Sequence, residues 1–119
     1  MKKQPKLVFE PRFRIRCGSR LLFGPGKAAL LEHIQKTGSI VDAAKAMNMS
    51  YMRAWTLVKN MNGVQNEPFV ETTRGGRLRG GAKLTKLGVI VLESYREIES
   101  QSLTATHLAQ AKLANVLFA

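Results

Sequence analysis

The chain has 119 residues and 45% hydrophobic residues, enough for one core and too short for several large domains. Its 19 Lys and Arg against 8 Asp and Glu give a net charge of +11 and a pI near 10.4, an excess that points to a polyanionic partner and favours nucleic acid over a membrane surface. The single cysteine, Cys17, excludes a disulfide scaffold, the isolated His33 and His107 give no metal-ligand spacing, and no run of about 18 apolar residues is present to span a bilayer.

Lys2, Lys3 and Lys6 resemble the charged start of a signal peptide, but Glu10, Arg12, Arg14 and Arg16 follow where an apolar run would be needed, so a cytoplasmic protein is expected. From Leu7 to Phe23 the alternation predicts a strand, a turn at Gly18-Ser19 and a second strand. The arginines around Phe13 and Ile15 form either a solvated face or a contact for DNA or an acidic surface. Gly24-Pro25-Gly26 punctuates the chain, and Leu30, Leu31 and Ile34 predict a helix that ends at Gly38. His33 reads as a surface or packing residue.

The next stretch organises the chain. Ser39 can cap a helix starting at Ile40, with Asp42 adding a carboxylate to its positive first turn, and Ile40, Ala43, Ala44 and Met47 recur at helical spacing. Asn48-Met49 interrupts the pattern, Ser50 offers a second cap, and Ala54, Val58 and Met61 form the buried stripe of a second helix that stops at Gly63. Two short helices joined by a tight turn fit a helix-turn-helix or, more simply, a helical hairpin. At about 100° per residue, the stripe turns Met52, Thr56 and Lys59 outward, flanked by Arg53 and Asn60. Between Asp42 and Glu67 there is no carboxylate, so this face can approach phosphate without repulsion.

Val70 to Thr73, introduced by Pro68, predicts a strand, and Lys83-Leu84-Thr85 a second. Between them lie Gly75, Gly76, Gly80 and Gly81 with Arg74, Arg77 and Arg79, the composition of a β-ribbon with a cationic tip, or wing. A nucleotide-binding loop is a weaker reading, because the G-x-x-x-x-G-K-[ST] order is missing; a solvated loop is the simplest one. Thr85 can cap a long helix carrying Leu87, Val91, Tyr95 and Ile98, widened by Leu84, Ile90 and Leu92, with Gly88 permitting close packing near the ribbon. That stripe serves either a dimer contact or the monomer core. From Gln101 the Ala- and Leu-rich tail predicts a further helix whose Leu108, Leu113 and Val116 need cover. The expected organisation is a DNA-binding domain over 1–100 and a helical tail over 101–119, in a mainly α fold with a small β-ribbon: a winged helix-turn-helix with a long C-terminal helix for dimerisation.

The stretch T-G-S-I-V-D-A-A-K-A-M-N-M-S-Y-M-R-A-W-T-L-V-K-N-M-N from Thr37, followed by V-E-T-T-R-G-G-R-L-R-G-G-A-K-L-T-K-L-G from Val70, resembles the N-terminal winged-helix domain of the ModE-type molybdate-responsive transcriptional regulators, whose helix-turn-helix is similar to that of the LysR type. The similarity covers about Phe13 to Ile98. It implies a homodimer on a palindromic operator, control of molybdenum-related genes, a recognition helix at Ser50 to Met61 in the major groove, and a wing at Arg74 to Ala82. In that family molybdate is held by separate C-terminal domains; the tail here is too short for one, so the resemblance does not extend to molybdate binding.

Sequence and resemblance together place Ser50, Tyr51, Met52, Arg53, Thr56, Lys59 and Asn60 at base edges or adjacent phosphates of double-stranded DNA, and Arg74, Arg77, Arg79 and Lys83 on the backbone or in a minor groove. The expected function is a sequence-specific transcriptional regulator, with a non-specific or architectural DNA binder and a protein-interaction adaptor as alternatives. No cofactor, no metal and no catalysis are expected: the histidines are lone, Cys17 has no evident base, and the acids do not pair near Ser or His.

Overall fold

In a computed structural model the described residues are 6–73 and 80–117. The expected strand from Leu7 begins only at Ile15. Residues 6–14 have no regular structure, and the carbonyl of Phe13 accepts a hydrogen bond from the Tyr95 hydroxyl at 2.7 Å. Strands β1 (Ile15–Cys17) and β2 (Arg20–Phe23) pair antiparallel, with Cys17 opposite Arg20, around a turn that needs the positive φ of 60° at Gly18. The Lys27 amine ties this hairpin to the next helix by donating to the carbonyls of Leu21 and Leu22 at 3.3 Å each. Burial, and then the charge of Arg20, lower the pKa of that amine.

Helix α1 (Pro25–Thr37) starts on proline, whose missing N–H belongs to a position without a helical acceptor, and stops where Gly38 takes φ 72° and donates to the Ile34 carbonyl. Helix α2 (Ile40–Ala46) is capped by Ser39, whose Oγ accepts from the Asp42 N–H at 3.2 Å. Helix α3 (Tyr51–Asn62) is capped in the same way by Ser50, which accepts from the Arg53 N–H at 3.1 Å. The turn between α2 and α3 passes through Asn48 at φ 54°, a left-handed position that Asn tolerates better than most residues.

Strands β3 (Val70–Thr72) and β4 (Ala82–Leu84) form an antiparallel ribbon, with Val70 opposite Leu84 and Thr72 opposite Ala82. The Ala82 N–H also donates to the Gly38 carbonyl at 2.8 Å, which fixes the ribbon to the α1–α2 junction. Helix α4 (Lys86–Ala105) begins at a Thr85 cap and runs unbroken through position 100, and helix α5 (His107–Leu117) follows.

The core gathers Leu30, Leu31 and Ile34 of α1, Ala43 and Ala44 of α2, and Ala54, Val58 and Met61 of α3. The small pair Ala43-Ala44 lets α3 approach α2, as the spacing predicts. Phe23 closes this core through edge contacts with Phe69 and Tyr95, at centroid distances of 6.4 and 5.1 Å. The architecture is the expected mainly α winged helix-turn-helix with a small ribbon. One part of the expected α4 stripe differs: Leu92 and Tyr95 are buried, Leu87 and Val91 half-buried, but Ile90 and Ile98 are 58% and 45% exposed. The face of α4 that enters the core is set by Gly88, because a Cβ there would stand 2.2 Å from the Phe69 carbonyl oxygen. Helix α5 buries none of its described residues.

The ribbon and α3 are joined by one side chain. The Asn62 carbonyl oxygen accepts from the N–H groups of Phe69 and Val70 at 2.9 and 3.0 Å, and its amide donates to the Val70 carbonyl at 3.0 Å. Asn62→Ala would leave these backbone groups without their partners, and should lower unfolding free energy by about 1–3 kcal/mol in a denaturant titration. Gly88→Ala gains about 1 kcal/mol of helix propensity but forces Cβ onto a backbone oxygen, so the same titration should show a net loss of about 1–3 kcal/mol. An unchanged midpoint for Gly88→Ala would mean that Phe69 and α4 part without cost.

Candidate nucleic-acid interface

Since α3 buries Ala54, Val58 and Met61, its opposite side is free, and Met52, Arg53, Thr56, Lys59 and Asn60 are all exposed there. Met52, at 65% exposure, leads the stripe that continues through Thr56 and Lys59. The Thr56 hydroxyl donates to the Met52 carbonyl at 2.8 Å, so what Thr56 offers outward is its methyl group and an acceptor lone pair. Tyr51 is 47% exposed but lies about 100° around the helix from that stripe, on the first turn beside the Ser50 cap. The α3 N–H groups of this first turn point toward whatever approaches Ser50, a favourable end for a phosphate. Lys45 of α2 is exposed and adds a further cation beside the pair of helices.

The ribbon stands next to this face, held by Asn62. Its ladder extends one step beyond the strands: Thr73 N–H donates to the Gly81 carbonyl at 2.8 Å, and the Thr73 hydroxyl accepts from the Gly81 N–H at 3.1 Å. Lys83 is exposed, as expected for a backbone-gripping residue, but it stands directly opposite Glu71 in the register. Its charge is therefore partly answered within the ribbon, which the local sequence did not disclose. Arg74, Arg77 and Arg79, placed at the tip by sequence, lie outside the described residues.

The elements thus bring together Met52, Arg53, Thr56, Lys59 and Asn60 on one acid-free surface, with Ser50 and Tyr51 at its edge and Lys83 on the neighbouring ribbon. Sequence reasoning passed over Asn62, since its partners lie 7 and 8 residues ahead and only the fold brings them near. Among the described residues no three His, Cys, Asp or Glu side chains gather in a metal-binding group, and no helix is long and apolar enough to cross a membrane.

No protein-family model matches the chain. Curated proteins do: it is 42% identical over 76 residues to "Transcriptional regulator ModE" of Yersinia pestis, covering 64% of this chain and 29% of that protein. It is 45% identical over 75 residues to "Molybdenum transport protein ModE" of Azotobacter vinelandii, covering 61% and 28%. To "DNA-binding transcriptional dual regulator ModE" of Escherichia coli K12 it is 37% identical over 76 residues, covering 64% and 29%. The chain thus spans under a third of the length of these three relatives. Over most of its own length, the chain is ModE-like, sharing its sequence with a segment of these transcriptional regulators.

Proposed function

We propose that the protein is a sequence-specific DNA-binding transcriptional regulator that acts as a homodimer on a palindromic operator. The observation that carries this reading is the exposed, acid-free face of a doubly fixed helix: α3 is capped by Ser50 at one end and clamped to the ribbon by Asn62 at the other. Such a helix fits a major groove, where rigidity converts side-chain identity into base choice. The likeness to relatives named as DNA-binding and transcriptional regulators supports the same reading, and the name of the Azotobacter relative extends it to molybdenum-related genes as targets.

In this reading Met52, Arg53, Thr56 and Asn60 meet base edges, while Tyr51, Lys59 and the Ser50 end of α3 meet adjacent phosphates. Arg74, Arg77, Arg79 and Lys83 hold the sugar-phosphate backbone or a minor groove and supply affinity with little sequence choice. The two α3 helices of the dimer stand roughly 34 Å apart, one turn of duplex.

Capture of fragmented genomic DNA by the purified protein near physiological salt should enrich a palindrome; uniform recovery of all fragments would reduce the protein to a non-specific or architectural binder. On an enriched site, Arg77→Ala should weaken specific and random duplexes alike and flatten the salt dependence by about 0.9 in log–log slope. Thr56→Ala should weaken the specific site by roughly five- to tenfold and random duplex hardly at all, read by fluorescence anisotropy. Equal losses from both substitutions would contradict the division of roles.

A further inference from the structure

The hairpin β1–β2 and helix α4 enclose an open apolar groove of about 350 Å³ on the side of the molecule away from α3's outward face, walled by Ile15, Leu22, Ile90 and Ile98 with Phe23 and Tyr95 at its floor. Its apolar surface continues past the body onto α5, where Leu108 is 84% exposed. The two banks of this strip carry opposite charge. On the hairpin side Arg12, Arg14 and Arg16 are exposed, and none is in an ion pair with a described residue. On α4, at 100° per residue from the buried Tyr95, the order across the surface is Ile98, Ser94, Ile90, Glu97 and Glu93. Both glutamates are exposed; Glu97 accepts only from the neutral Gln101 amide at 3.0 Å among the described contacts.

We infer that this strip docks a second copy of the chain, the two α4 helices lying parallel about a two-fold axis that runs along them. Each copy carries a net charge of +11, so two copies repel unless the contact uses the few acids available. A two-fold along α4 sets the arginine bank of each copy against the glutamate bank of the other. An axis across α4 would instead set arginines on arginines and glutamates on glutamates, which opposes association. The parallel arrangement is therefore the self-complementary one. It rests on the homodimer of the proposed function and specifies its surface: because α4 starts at the base of the ribbon and leads away from it, both recognition helices remain at one end, as a two-fold operator requires.

The test is sedimentation of the full chain without DNA, over a range of concentration and salt, so that its outcome is independent of operator binding. The parent should dimerise, more weakly as salt rises. Glu93→Arg with Glu97→Arg, and separately Arg14→Glu with Arg16→Glu, should each weaken self-association by roughly tenfold or more while circular dichroism shows an unchanged fold. An equimolar mixture of the two variants should form heterodimers, and a chain carrying all four substitutions should regain the homodimer. A parent that stays monomeric at every concentration overturns the inference and leaves the groove to some other partner, with operator recognition still to be judged by DNA capture. Single-bank variants that dimerise as well as the parent, or a mixture that forms no heterodimer, overturn it equally, because the banks then do not meet.

Discussion

The backbone of Pro68, Phe69 and Val70 is the point on which the rest of the structure depends. From one side Asn62, the last residue of α3, binds the N–H of Phe69 and both polar groups of Val70. From the other side Thr85 donates through its hydroxyl to the Pro68 carbonyl at 2.8 Å and through its N–H to the Phe69 carbonyl at 3.0 Å, and Gly88 lies against that same carbonyl. Three elements of different kinds therefore meet on three residues: the end of the recognition helix, the start of the ribbon and the start of the long helix. Satisfied polar groups at a partly buried junction leave little freedom in the angle between them. Any surface that α3 and the ribbon present together inherits its geometry from this junction.

Charge is segregated along the same axis. The outward side of α3 has no carboxylate, while Glu93, Glu97 and Glu99 are all carried by α4 beyond the junction. Arg96 is engaged there by Glu32 of α1 and by Glu99, the latter at 2.7 Å, and its guanidinium lies 5.9 Å from the centre of the Tyr95 ring. Burial acts to lower the Arg96 pKa, but the hydrogen bonds to Glu99 and Glu32 outweigh it and the net shift is upward. Each partly exposed pair of this kind contributes little stability by itself. Their consequence is positional: acids that could repel a polyanion are held on the far side of the core from the α3 face.

The hairpin β1–β2 is the element least explained by a DNA-binding domain alone. Its tether to Tyr95 through Phe13 and to α1 through Lys27 holds a group of arginines beside an apolar groove, well removed from the ribbon. A basic bank and an acidic bank on either side of one apolar strip give that surface a polarity, and polarity across a surface selects one two-fold over the other.

What the sequence by itself determined was local. Ser39, Ser50 and Thr85 each cap a helix whose acceptor geometry reaches three residues ahead, Gly38 supplies the left-handed stop of α1, and the stripes of α2 and α3 follow from helical periodicity. These depend on neighbours within one or two turns, so the residue types suffice. The outward α3 face followed at once, being the complement of the buried stripe. The tertiary structure alone decided what spans long separations: the Asn62 clamp, the opposition of Glu71 to Lys83 in the register, and the late start of β1. It also decided which part of the broad apolar surface of α4 enters the core. Leu87, Ile90, Leu92 and Ile98 are equally apolar in sequence, and the choice among them was made by the close approach of Gly88 to Phe69, a contact that exists only once the ribbon and the helix are folded together.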